Sequence, residues 1–122
     1  MSGRAIEIGG QRAWLCDPDG PLFASERDAA DLVGESFNAA AQLVVIPLTR
    51  LPPEFLDLKT RVAGEMLQKF VSYRRRVVIL GDVSQAAGRS GALRDFIGES
   101  NRGRSVWFLP DLAALEAKLS AG

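Results

Sequence analysis

The sequence predicts an α/β fold: a mostly parallel five-stranded sheet with an opening β-hairpin and four helices, in the order β-β-α-β-α-β-α-β-α. Three observations carry this. Two short β-like runs flank the turn former Gly9-Gly10-Gln11. The runs at 43–48 and 77–80 are continuously apolar and largely β-branched, as strands covered by helices on both faces are. Between such runs, apolar residues recur at three- and four-residue spacing, the period of an amphipathic helix. A chain of 122 residues buries roughly two-thirds of its unfolded surface, so one core and a single domain over residues 1–122 are expected.

Residues 5–8 and 13–16 form the hairpin, because two glycines supply the positive φ that its turn demands. Asp17-Pro18-Asp19-Gly20-Pro21 then concentrates turn formers and reads as a loop. Ser25 with Asp28 is a weak capping box, and Ala29, Leu32, Val33, Phe37 and Ala40 make the stripe of a first helix over about 26–41. Residues 43–48 are the central strand. Pro52-Pro53 opens a second helical segment carrying Phe55, Leu58, Val62, Met66, Phe70 and Tyr73, ending near 73–75. Within it Asp57 either lies inside the helix or caps a second start, leaving 53–56 as a separate turn. Residues 77–80 are the next strand, and 84–91 a small-residue loop. Ser90 caps a third helix that runs to about Asn101, where Asn101 and Gly103 stop it. Residues 105–109 form the last strand, and Asp111 caps a final helix with Leu112, Leu115 and Leu119.

Composition excludes much chemistry. The chain has 15 basic and 15 acidic residues and no His, which argues against nucleic-acid or membrane-surface binding and removes His-based triads and His-ligated zinc. Cys16, the one cysteine, can form neither an internal disulfide nor a thiolate cluster and reads as a small buried hydrophobe. Trp14 and Trp107 fall on strands as core residues. The first ten residues carry Arg4 and Glu7 and no apolar stretch, and no run reaches the roughly 20 residues of a membrane span, so a cytoplasmic location is expected.

The order of elements is similar to that of the STAS domain, the fold of bacterial anti-sigma-factor antagonists. Two stretches, Phe55-Leu56-Asp57-Leu58-Lys59-Thr60 running into Ala63-Gly64-Glu65-Met66-Leu67-Gln68-Lys69-Phe70, and Asp95-Phe96-Ile97-Gly98-Glu99-Ser100-Asn101-Arg102-Gly103, resemble more closely a bacterial family of single-domain proteins known only as a domain of unknown function. The STAS resemblance implies a non-enzymatic regulatory domain that binds a protein partner, through a serine in an Asp-Ser-Ser-Gly segment whose phosphorylation controls binding. Here Asp57 matches the Asp, Leu58 and Lys59 stand at the serine positions, and Thr60 is the nearest hydroxyl. The partner surface is expected at Asp57, Lys59, Thr60 and Arg61, with a homodimer as one form of partnership.

The alternative is a small-ligand or metal-assisted phosphate-binding protein, or an enzyme, using the carboxyl edge of the sheet. Asp17, Thr49, Asp82 and Asp111 all follow strands there, and Gly81-Asp82 with Ser84 and Gly88-Arg89-Ser90-Gly91 outlines a loop before a helix. Its candidate residues are Asp17, Asp82, Arg89 and Ser90. Acidic residues also cap helices and suit their positive ends, which is the ordinary account of such positions, and the loop fits no phosphate-binding signature. No cofactor and no metal are assigned. Arg4, Arg12, Arg74, Arg75, Arg76, Arg102 and Arg104 all precede or begin strands, so the opposite edge is expected to be basic, beyond what one helix end needs.

Overall fold

The computed structural model describes residues 3–121. Strands β1 (Gly3–Ile8), β2 (Gln11–Cys16), β3 (Leu43–Pro47), β4 (Arg76–Leu80) and β5 (Val106–Leu109) form one sheet in that order, β1 antiparallel to β2 and the rest parallel. The helices are α1 (Glu26–Asn38), α2 (Val62–Ser72), α3 (Ser84–Arg89), α4 (Gly91–Arg102) and α5 (Leu112–Ala121). The α/β class, the opening hairpin at an edge and the central place of β3 are as the sequence predicts.

Each β–α–β connection steps one strand in the same direction, so crossovers of a single hand place every linking helix on one face. On that face Trp14, Cys16, Val44, Ile46, Val77, Ile79 and Phe108 pack against α1, α2 and the Phe96–Ile97 side of α4. The alternate residues Ala13, Leu15, Leu43, Val45, Val78 and Trp107 point the other way, onto Leu115 and Leu119 of α5. At the hairpin turn Gly9 and Gly10 have φ of 55° and 79°. A Cβ on Gly9 would lie 2.6 Å from Leu119, so glycine there serves both the turn and the seating of α5.

Two departures concern helices. Residues 84–91 are not a plain loop. Asp82 Oδ1 accepts from the Ser84 amide at 2.9 Å and starts the six-residue α3, giving five helices where four were expected. Ser90, extended at φ −139°, then interrupts the helix and caps α4 by accepting from the Leu93 amide. Of the two readings open for the second helical segment, the one with 53–56 as a separate turn and Asp57 capping a second start is observed, although the α-helix itself begins later. Pro53–Leu56 and Leu58–Thr60 are separate 3₁₀ turns, and α2 starts only at Val62. Between the turns Asp57 is extended and accepts from the Lys59 amide at 3.2 Å, and Arg61 takes a left-handed φ of 65°. Phe55 is buried from its 3₁₀ turn, so a helix-like spacing arises without a helix.

The outer edge of β5 is closed locally. The Asn101 side chain accepts from the Phe108 amide at 2.7 Å and donates to its carbonyl at 3.2 Å, as a neighbouring strand would. Asn101 was expected as a helix stop, and this pairing with β5 is its observed role.

Candidate functional site

Asp57, Lys59, Thr60 and Arg61 lie together, all exposed, on the turn that leads into α2. The Thr60 hydroxyl is 2.7 Å from the Glu54 carbonyl and 2.8 Å from that of Asp57, a shared donation, and it accepts from the Val62 amide at 3.3 Å. It thereby ties both 3₁₀ turns to the first turn of α2, where Arg61 offers no side-chain cap. Across from this turn stand Arg89 and Ser90. An open depression of about 390 Å³ is lined by Pro53, Leu56, Asp57, Leu58, Ala86, Arg89 and Ser90. Residues from both sets named in the sequence therefore meet on one surface.

Asp17 and Asp82 do not join each other. They follow β2 and β4, which flank β3, so their backbones stand about 10 Å apart at the usual strand spacing. Among the described residues no three acidic or cysteine side chains come together in a metal-binding group. Asp82 is fully exposed and its pKa is lowered by the hydrogen bonds from Ser84. Asp111 accepts from the Ala114 amide at 2.8 Å and caps α5. Asp82 and Asp111 thus take turn and cap roles, the ordinary account of acidic residues at these positions. Thr49 donates to the Pro18 carbonyl at 2.7 Å, another bond within the loops of that edge.

Arg50 was not singled out by the sequence, yet it is 3% exposed. Its Nε donates to Pro21 O at 2.8 Å, and one terminal nitrogen donates to Asp17 O at 2.8 Å and Asp19 O at 3.3 Å. The guanidinium lies 4.2 Å from the Phe23 ring centroid. Gly20, at φ 140°, leaves room for it, since a Cβ there would sit 2.9 Å from its central carbon. An arginine two residues past an apolar strand carries no pattern that distinguishes this role from an ordinary solvated one. Beside it, Cys16 is buried, and burial pushes its thiol pKa up to about 12.

The amino edge is basic, with one correction. Because β1 runs antiparallel, Arg4 pairs with Leu15 near the far end of β2 and so lies at the carboxyl edge. Arg12 is on the amino edge but is bridged to Glu7 at 2.9 Å. Arg74, Arg75, Arg76 and Arg104 line one cavity of about 410 Å³ with no Asp or Glu among its walls.

Fold and surface together describe an α/β protein whose polar residues sit in open, shallow depressions. Comparison with known families makes the assignment specific: the chain belongs to the family described as a domain of unknown function (DUF4180), which matches residues 8–119. No curated protein and no solved structure matches it, so the likeness to STAS domains rests on element order alone.

Proposed function

We propose that the protein is a non-enzymatic, cytoplasmic regulatory domain that binds a protein partner through the turn carrying Asp57, Lys59, Thr60 and Arg61. The observation that supports this reading is the meeting of that turn with Arg89 and Ser90 across one open depression. Its lining mixes apolar Pro53, Leu56, Leu58 and Ala86 with charges of both signs on Asp57 and Arg89, a composition suited to a polypeptide rather than an enclosed small molecule. The carboxyl-edge alternative has weaker support. The parallel strands run β2-β3-β4-β5 without reversal, so the crevice that open α/β sheets use for ligands does not arise.

Thr60 gives the regulatory element. A phosphate on Thr60 abolishes its donation to the Glu54 and Asp57 carbonyls and places negative charge on the turn whose Asp57 lines the depression. Thr60→Glu is expected to weaken partner binding, while Thr60→Ser keeps the hydroxyl and the affinity. Thr60→Ala loses the turn bonds and about 1 kcal/mol of stability, so Ser is the cleaner control. The measurement is quantitative capture from the host lysate with wild type, Thr60→Glu, Thr60→Ser and Leu58→Glu, with phosphorylation of Thr60 read by mass spectrometry. One stoichiometric protein lost with both Glu variants and retained with Ser supports the reading. If that protein is a second copy of the chain, the partnership is a homodimer. Equal recovery of every co-purifying protein by all four forms sinks it.

A further inference from the structure

At the amino edge α2 ends at Ser72, Tyr73-Arg74-Arg75 follow it, and the chain enters β4 at Arg76. The ordinary account of cations here is compensation of the negative end of the helix. That end is already closed by backbone bonds. Arg74 takes φ of 57°, its amide bonds Val71 O at 3.0 Å, and the Arg75 amide bonds Phe70 O at 2.9 Å. Arg76 begins β4, so dipole compensation does not account for it, while Arg104 lies in the short link between α4 and β5.

Two of the guanidinium groups, those of Arg75 and Arg76, are also placed rather than free. Arg76 lies 4.5 Å from the Trp107 ring centroid with its Nε on the Arg104 carbonyl at 2.6 Å. Lys118 lies 4.8 Å from the same ring and donates to Asn101 O at 2.9 Å. Arg75 lies 3.7 Å from the Phe37 centroid and its Nε donates to Ser36 Oγ at 3.1 Å. Trp107 in turn is fixed by its Nε1 bond to Gly103 O at 2.8 Å. Side chains held in this way have lost their rotamer freedom before any ligand arrives. Among the described residues none of Arg74, Arg76, Arg102 and Arg104 forms an ion pair. Partial burial lowers the Arg76 pKa, and the nearby Arg104 cation lowers it further.

Two cavities meet along this edge. The first, about 410 Å³, holds Arg74, Arg75, Arg76 and Arg104. The second, about 300 Å³, shares Arg76 and Arg104 and adds Arg102 and Lys118, and it too has no acidic side chain among the described residues that line it. We propose that this edge is a binding site for a phosphate-bearing anion, seated where Arg74, Arg75, Arg76 and Arg104 converge. The preset, aromatic-backed forks of Arg75 and Arg76 match phosphate oxygens in geometry as well as charge, and Arg74 and Arg104 add charge beside them. A diphosphate group spans both cavities through the shared Arg76 and Arg104. The site is independent of the Thr60 surface and stands or falls separately from it.

The test is an isotope-edited NMR titration of the full chain with sodium pyrophosphate at fixed ionic strength, with vesicles of phosphatidylcholine containing phosphatidic acid as a second arm. Saturable shifts of the Arg76, Arg104 and Ser105 signals are expected. Arg74→Gln, which removes an exposed side chain, is expected to weaken binding about tenfold, and Arg76→Gln with Arg104→Gln to abolish it. Arg12→Gln, on the same edge but bridged to Glu7, is expected to leave binding unchanged. Saturation by pyrophosphate assigns a soluble phosphate compound. Arg74-dependent sedimentation with the vesicles, without saturation by pyrophosphate, assigns a lipid headgroup. Binding in neither arm, or binding that Arg74→Gln and Arg12→Gln weaken equally, overturns the proposal.

Discussion

Cys16 and Trp14 lie two residues apart on β2, and both are buried on the three-helix face. The thiol keeps its proton in the folded protein up to about 12, against an ordinary 9.0, because burial opposes the thiolate more than nearby Arg50 favours it. The unfolded chain releases that proton near its ordinary value and so binds fewer protons than the folded protein above it. Stability from this group is therefore complete below about pH 9 and declines as pH rises toward 12, by up to about 1.4 kcal/mol per unit. Thermal unfolding from pH 8 to 11 should show the midpoint falling, and Cys16→Ala should flatten the fall. A wild-type profile as flat as that of Cys16→Ala would contradict the buried-thiol account. Trp14 differs from Trp107 in a related way. Its Nε1 is buried without a hydrogen-bond partner among the described residues, an unfavourable desolvation, whereas the Trp107 indole is bonded and stacked by two cations.

At the scale of elements, the loop between β2 and α1 shows how one side chain substitutes for regular structure. Residues 17–23 have few backbone bonds of their own, and Arg50 supplies three donations to their carbonyls while its own carbonyl accepts from the Phe23 amide at 2.7 Å. Arg50→Met keeps the stem and removes every donor, so about 3 kcal/mol of stability should be lost, measured by urea unfolding. Arg50→Lys should recover little of it, since an ammonium lacks the fork that reaches Pro21 and Asp17 together. A loss under about 1 kcal/mol for Arg50→Met would show that the loop holds itself. This element also marks what was legible. The capping pairs Ser25–Asp28, Ser90–Leu93 and Asp111–Ala114 form where the sequence places them, because a cap is a local event within four residues. The break at 57–61 was legible only as an open choice, since helix periodicity and 3₁₀ turns put Phe55 in the same core. Arg50 was not legible at all, because its acceptors lie about 30 residues earlier in the chain. Of the candidate residues, Asp57 and Arg89 were named for separate sites, and only the fold brings them to one depression.

For the whole molecule, the monotonic strand order has an energetic consequence that alternation of strands and helices does not reveal. The sequence implies cover on both faces, and both are covered, but unequally. Helices α1, α2 and α4 share one face, while α5 alone shields Ile8, Ala13, Leu15, Leu43, Val45, Val78 and Trp107 on the other. Neighbouring helices can shift to fill a cavity where several pack together. A single helix fixed at its start by the Asp111 cap and at its end by Leu119 against Gly9 has less freedom to do so. Leu115, fully buried at the middle of α5, should therefore behave as a site that cannot collapse. Leu115→Ala should lower stability by about 3–4 kcal/mol in urea unfolding, with an unchanged dependence on denaturant. Leu67→Ala in α2, beside α1, should cost nearer 2–3 kcal/mol. If Leu115→Ala cost no more than Leu67→Ala, α5 would be able to resettle on the sheet. The second face would then not depend on one rigidly held helix, and the unequal division of the core would lack the consequence assigned to it.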